Sequence, residues 1–314
     1  MEKRISLIAY IPVGTSDRLD YVGDTIESIY HNSPDDVVVI LMDDSGAANH
    51  GEALKVRYPK VHIFKTEPRY QGKGLSGRHA YETVRLLKYA CENFWFDTIL
   101  RVDSDALITG HNIHLCLQEI FERYPNVGML GRYWINTEGY RIHRGESAFL
   151  IRRLQRFPLR LAFFRGVTCM NRIIWRAEQN GYVFGELVLG CATAYSYECA
   201  FRMAKFIDHF KGLRGLRGLA EDYFTTMFVK YVNMDLGNAG HPEGPMAVDL
   251  KGIPFTLEEI VAKDKKIIHS IKNDDRYTQN EIRAFFRAVR ERERFDVVAH
   301  RVVASSFGDE VSLN

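Results

Sequence analysis

Asp103-Ser104-Asp105 places two carboxylates one residue apart at the end of an apolar run, Ile99-Leu100-Arg101-Val102. On a strand that continued regularly both would point to one face. Two like charges that close raise the pKa of one of them unless water, a basic residue or a metal compensates. Mg2+ or Mn2+ takes oxygen ligands and shares them between carboxylates and a substrate's phosphates. A solvated turn is the other reading of the same residues. Asp43-Asp44 ends a second apolar run, Val37 to Met42. Glu221-Asp222 precedes a helical stretch, where an acid either takes a proton from a hydroxyl or favours the positive end of a helix dipole. His269-Ser-Ile-Lys272 follows a short apolar run, and its imidazole is either a metal ligand or a structural side chain. The loop Arg69 to Arg78, with Gly72-Lys73-Gly74, is either a phosphate cradle at a helix N-terminus or a flexible turn. It lacks the Gly-x-x-x-x-Gly-Lys-Ser/Thr spacing of a P-loop.

The elements that must position these groups alternate. A strand from Arg4 to Pro12 leads to a helical pattern through Leu19, Val22, Ile26 and Ile29, then to the continuous run at Val37, as expected of a parallel strand buried on both faces. A short helix at Glu52 to Arg57, a strand at Val61 to Lys65, a helix over Gly77 to Asn93, the strand carrying the acids, a helix at Asn112 to Arg123 and a strand at Val127 to Leu130 complete the series. This order predicts an open, mostly parallel, doubly wound α/β sheet with helices on both faces. Beyond Gly131 the texture changes. Arg132 to Glu146 reads as a long excursion of the kind that often serves function, and its Tyr133, Trp134 and Tyr140 are of a type more often found in the core. Ile151 to Arg165 mixes Arg152, Arg153, Arg156, Arg160 and Arg165 with Leu and Phe, and reads as a partly buried helix with solvated arginines or as a face touching an anionic membrane. Phe184 to Gly190 predicts a strand ending at Gly190-Cys191-Ala192, and Tyr197 to His209 a helix. Lys211 to Gly218 is a basic, glycine-hinged repeat in which Lys211, Arg214 and Arg217 form a mobile lid, grip an anionic group or are simply solvated. Tyr223 to Tyr231 predicts a helix, Lys265 to Ile268 a strand, and Gln279 to Arg294 an amphipathic helix.

The chain's 314 residues suffice for a large core, and 46% apolar with 26% charged residues is ordinary for a globular protein. A net charge of +2 gives no global argument for nucleic acid. The N-terminal apolar stretch is too short for a signal peptide or membrane span, and no other run reaches spanning length. Five cysteines without a Cys-x-x-Cys pair lead to the expectation of a reducing, cytoplasmic compartment without disulfides.

In order and spacing, Asp103-Ser-Asp105, Glu221-Asp222 and His269-x-x-Lys272 resemble the motifs of a nucleotide-sugar glycosyltransferase of the GT-A fold, most similar to the inverting family 2 type. The resemblance covers about residues 4–275. It implies a nucleotide-sugar-binding half at 1–131, an acceptor-binding and catalytic half at 132–275 as the acceptor-side extension of the same Rossmann-like domain, and a C-terminal helical tail at 276–314. It further implies that Pro12, Asp43 and Asp44 line the nucleoside, that Lys73, Arg78 and Lys272 approach the diphosphate, and that Gly190-Cys191-Ala192 forms an acceptor-side turn. Asp103 would hold the ribose or a metal-bound water, Asp105 would ligate Mn2+ or Mg2+ directly, and His269 would complete the metal site. Asp222 is then the base and Glu221 orients the acceptor or the helix.

The implied reaction moves a sugar from a nucleoside-diphosphate sugar, a UDP-sugar by resemblance, to a hydroxyl of a saccharide, lipid-linked or small-molecule acceptor, with inversion. The expected setting, read from the cysteines and from the basic Ile151 to Arg165 segment, is cytoplasmic, with peripheral contact at the inner face of a membrane as an alternative to a solvated arginine face. Alanine before Glu221 and Cys191 after Gly190 depart from the family pattern on the acceptor side. A retaining GT-A transferase, a sugar nucleotidyltransferase (pyrophosphorylase) and a non-catalytic nucleotide- or carbohydrate-binding module remain alternatives. The pyrophosphorylase would want a glycine-rich basic signature after the first strand, where Pro12-Val13-Gly14-Thr15 stands.

Overall fold

The computed structural model of the chain describes residues 4–67, 76–141, 145–157, 159–217, 219–272 and 274–307. In chain order the elements are β1 (Ile5–Val13), α1 (Leu19–Asn32), β2 (Val38–Asp43), α2 (His50–Arg57), β3 (His62–Lys65), α3 (Ser76–Asn93), β4 (Phe96–Arg101), β5 (Leu107–Ile108), α4 (Ile113–Arg123) and β6 (Val127–Tyr133). There follow α5 (Gly145–Gln155), α6 (Leu159–Ala162), α7 (Phe164–Gln179), β7 (Val188–Ser196), α8 (Tyr197–Lys205), α9 (Ile207–Phe210), α10 (Glu221–Tyr231), β8 (Asp235–Asn238), β9 (Met246–Val248), α11 (Leu257–Ala262), β10 (Ile267–His269) and α12 (Gln279–Phe307).

Seven strands form one sheet in the order β3-β2-β1-β4-β7-β6-β8. The pairings from β3 through β4 are parallel, as is β6 with β8, while β7 runs antiparallel to both its neighbours. The sheet is therefore open and mostly parallel, as the alternating pattern predicts. Period-two alternation along β1 explains why it is covered on both sides. Ile8 and Tyr10 join one core with residues of α3, α7, α8 and α10, while Leu7, Ala9, Ile11 and Val13 join another with residues of α1, α2 and α4. A side chain on either face finds apolar partners, so β1 and β2 are almost wholly buried.

A second, three-stranded sheet, β5-β10-β9, sits at the point where the main sheet hands the chain on. β5 pairs antiparallel with β10, and β10 parallel with β9. Its own small core joins Leu107, Ala247 and Ile268 to Ile260 of α11 and to Ile282 and Phe286 of α12. The segment after the Asp pair is thus bound to the segment carrying His269.

Some expected elements shift. The strand predicted from Phe184 forms instead at Val188–Ser196, because Gly185 takes φ +88° and Glu186 N–H closes a turn on the Val183 carbonyl at 2.8 Å. Gly190-Cys191-Ala192 accordingly lies inside β7 and is not a turn. The helix expected over Tyr197 to His209 divides at Phe206, and Lys211–Gly215 is a 3-10 segment. α7 has no counterpart in the sequence reading, although Val167, Met170, Ile173, Ile174 and Ala177 are buried at helical spacing. Lys73 and its flanking glycines lie outside the described residues.

Candidate active site

The acids sit where the main sheet ends. β4 stops at Arg101, two residues before Asp103, so the pair does not share a strand. Instead Val102 N–H donates to the Tyr10 carbonyl at 2.9 Å, Asp103 N–H to the Cys191 carbonyl at 3.2 Å, and Ala106 N–H back to the Asp103 carbonyl at 2.9 Å. That turn brings Asp103 and Asp105 together with His269, one ligand atom of each lying within 4.8 Å of the others. The donor set of two carboxylates and an imidazole suits a divalent transition cation such as Mn2+. The imidazole is also oriented for that role. His269 Nδ1 lies 2.8 Å from the Asp249 carbonyl, which accepts its proton and leaves Nε2 facing Asp105 at 3.4 Å. Asp249 is itself held by Arg132 at 3.0 Å.

Electrostatics separates the two carboxylates. Asp105 is 5% exposed, and burial alone would raise its pKa. The protonated form of His269, favoured against burial by Cys191 and Asp105, and Lys272 instead hold it well below the usual carboxylate range, with Lys272 Nζ 3.0 Å and the Ser270 hydroxyl 2.8 Å from the same oxygen; a cation bound there would take the place of the Nε2 proton. Removal from water raises Asp103, against the lowering pull of Arg101. Arg101, at the end of β4, escaped the sequence reading although it organises this side of the site. Its Nε donates to Asp103 at 2.6 Å and its Nη1 to the Glu221 carboxylate. A charge on a strand's last residue was the only local signal; its partner lies 120 residues away in sequence.

Glu221 and Asp222 open α10. Asp222 is 9% exposed, accepts a hydrogen bond from Gly190 N–H at 3.2 Å, and has its pKa raised by desolvation. Gly190 permits this contact, since a Cβ there would stand 3.0 Å from the Asp222 Cβ and 3.5 Å from Arg101 Nη1. Arg101 therefore lies between a carboxylate of the candidate metal group and the acidic pair.

Beside this centre, a hollow of ≈ 190 Å³ is lined in part by Pro12, Asp44, Asp103, Asp105 and Lys272, together with His79. A second hollow of ≈ 220 Å³ shares Asp17, Ser104, Asp105 and Lys272 with it. The two form a cleft at the carboxyl ends of β1, β2 and β4, the usual ligand position in an open α/β sheet. His79 and Asp17 also escaped the sequence reading. The His79 imidazole is pushed down to about 4 by burial and by the Arg78 and Arg101 guanidiniums, so it is neutral at pH 7. Asp17 accepts from Gly14 N–H and from the Ser104 hydroxyl, each at 2.6 Å, tying the loop after β1 to the Asp pair.

Other expected residues are placed differently. Asp43 faces its own loop, accepting from Ser45 N–H at 2.9 Å, the Ser45 hydroxyl at 2.6 Å and Gly51 N–H at 3.3 Å, so Asp44 alone of this pair lines the cleft. Arg78 is fully buried and donates to Asp44 and, at 3.0 Å, to Thr66. In this conformation its guanidinium braces Asp44. Tyr133 donates to Glu186 at 2.7 Å, whereas Trp134 and Tyr140 are exposed. Lys211 pairs with Asp208 at 2.5 Å and Arg214 with Glu67 at 3.0 Å, while Arg217 is exposed. All five cysteines are free thiols. Among the described residues no helix is long and apolar enough to cross a membrane.

No protein-family model matches the sequence, and no curated protein matches it. Solved structures with a related shape include the mannosyltransferase PcManGT from Pyrobaculum calidifontis in complex with GDP-Man and Mn2+, at 12% identity over 76% of this chain, with a TM-score of 0.40. The chain spans about half of that protein, 55% of its length. The galactosyltransferase LgtC, in complex with donor and acceptor sugar analogs, aligns with 90% of this chain and 95% of its own at 10% identity and a TM-score of 0.48. Mouse xyloside xylosyltransferase 1, in its apo form, aligns with 84% of this chain and 96% of its own, at 10% identity and a TM-score of 0.40. Likenesses this distant transfer no residue role.

Proposed function

We propose that the chain is a metal-dependent glycosyltransferase of the GT-A type that moves a sugar from a nucleoside-diphosphate sugar, a UDP-sugar in this reading, to an acceptor hydroxyl with inversion. The observation that carries this is the convergence, at the carboxyl end of an open α/β sheet, of Asp103, Asp105 and His269 on one point, with Asp222 set apart from them across Arg101. The three converging side chains would hold Mn2+ or Mg2+. Such a cation neutralises a departing diphosphate as its charge develops. Lys272 on the cleft rim adds a charge-assisted contact to the same phosphates, and Lys73 is assigned there too on its motif alone. Pro12 and Asp44 line the nucleoside side, with Arg78 fixing Asp44 and Asp43 fixing the loop that follows.

Asp222 takes the proton of the attacking hydroxyl. Its raised pKa makes it a stronger base than an exposed aspartate. Glu221, anchored on Arg101, orients the start of α10 and with it Asp222. In this reading residues 1–131 bind the nucleotide sugar, 132–275 bind the saccharide, lipid-linked or small-molecule acceptor, and 276–314 form the tail, in a cytoplasmic enzyme.

The test is a panel of nucleotide sugars and nucleoside diphosphates read by thermal shift with and without Mn2+, followed by transfer or donor-hydrolysis assays. A ligand at about 100 times its Kd stabilises the folded state by about 2.7 kcal/mol, so the right donor stands out, and only with metal present. Asp105→Ala is expected to abolish the metal-dependent part. If that variant bound UDP with undiminished metal dependence, the metal assignment would fail.

A further inference from the structure

Between Ser147 and Ala177 the chain carries seven arginines and no aspartate, glutamate or lysine, in a protein whose net charge is only +2. This stretch is the α5-α6-α7 excursion. Its inward side is ordinary core, with Ile151, Leu154, Val167, Met170 and Ile173 buried. Its outward side is not ordinary surface. Phe157 is 79% exposed, Leu161 63% and Phe164 57%, three large apolar side chains within eight residues of chain. Arg153, Arg156 and Arg160 are exposed in the same segment, and among the described residues no carboxylate pairs with any of the seven arginines.

We infer that this face docks on an anionic lipid bilayer, with Phe157, Leu161 and Phe164 entering the interface and the arginines lying against acidic headgroups. Apolar side chains flanked by unpaired cations suit a surface that is greasy below and negative above. A groove of ≈ 680 Å³ beside Leu161 and Phe164 is lined further by Arg165, Lys211 and Arg214 and shares no residue with the catalytic cleft, so a headgroup seated there would leave the cleft open. Two other occupants fit less well. A second copy meeting this face about a two-fold axis would set arginines against arginines. A nucleic acid would satisfy the guanidiniums but gain nothing from Leu161, and a chain of net charge +2 presents no broad basic field to hold a polyanion.

This inference goes beyond the transferase reading and is tested without a donor. The full chain is sedimented with vesicles of phosphatidylcholine alone and with vesicles containing about a third phosphatidylglycerol. Wild type is expected to co-sediment with the anionic vesicles only, and less as salt is raised. Phe157→Ser with Leu161→Ser, and separately Arg153→Gln with Arg156→Gln, are each expected to weaken binding at least about tenfold. All four side chains are exposed, so an unchanged melting temperature serves as the control. Wild type that stays in the supernatant, that binds neutral vesicles equally, or whose variants bind undiminished would overturn the proposal. Retention on polynucleotide, or dimerisation through this face by light scattering, without vesicle binding would overturn it as well, assigning the face to a different partner.

Discussion

Asp222 and Arg101 carry opposite kinds of dependence. An asparagine at 222 can still accept the Gly190 N–H bond through its amide oxygen but cannot take a proton. Asp222→Asn is therefore expected to keep its fold and its donor-induced thermal shift while kcat falls about 100- to 10,000-fold. A matching pH signature follows from the sign of the shift. Desolvation raises the Asp222 pKa above the ordinary 3.8, and a base works only when ionised, so the acid limb of the rate profile should lie above 3.8 and disappear from the residual activity of the variant. An unchanged kcat would remove Asp222 from the role. Arg101 is 9% exposed and binds two carboxylates at once. Arg101→Met would leave the partly buried Asp103 and Glu221 without their shared cation, at a cost of about 1–3 kcal/mol. The expected readout is a lower urea midpoint at unchanged slope, with Arg101→Lys recovering part of the loss.

The final helix shows how an element far from the chemistry positions it. Asp24 of α1 is 3% exposed and accepts from Arg283 at 2.9 Å and Arg290 at 2.5 Å, while Arg283 also donates at 2.7 Å to the carbonyl of Ser104, which lies between Asp103 and Asp105. His31 of α1 and His111 before α4 converge on Glu293, at 2.7 Å and 3.2 Å, farther along the same helix. α12 thereby clamps α1 and the Asp103–Asp105 turn together. Arg283→Met is expected to cost about 3 kcal/mol and to weaken the Mn2+-dependent thermal shift. Arg287→Ala, whose side chain is 52% exposed and 3.4 Å from Asp24, should cost less than about 1 kcal/mol. Equal effects of the two variants in urea titration would deny α12 this role. None of this was legible in the sequence, because Arg283 and Asp24 lie 259 residues apart and an arginine on an amphipathic helix carries no mark of being buried. What was legible is local. Continuous apolar runs announced β1, β2 and β4, period-3.6 patterns announced α1 and α3, and Asp103, Asp105, Glu221, Asp222 and His269 stood out by residue type at element ends. Which member of Asp43-Asp44 faces the cleft turned on how the chain leaves a strand, and Arg78 turned inward because Asp44 and Thr66 were waiting there; both depend on contacts that only folding assembles.

Across the whole molecule, the order of strands ties the first 131 residues to those that follow. β7, from the second half, lies between β4 and β6 of the first, and β8 of the second half closes the sheet beyond β6. Neither half retains a continuous sheet without the other. Removing residues after 131 would expose both edges that β7 covers and strip α7, α8 and α10 from the core that holds Ile8, Tyr10 and Ile99. Chains of this length often unfold in steps, but a shared sheet argues for one step through residue 275. Scanning calorimetry of the full chain should therefore give a single endotherm in which calorimetric and van't Hoff enthalpies agree, and Mn2+ with the correct donor should move that endotherm as a unit. The isolated segment 1–131 should not fold on its own. Two resolved transitions, or a metal-dependent shift confined to one of them, would mean that residues 1–131 are an independent unit and that Asp222 on α10 is coupled to Asp103 only through the Arg101 contact.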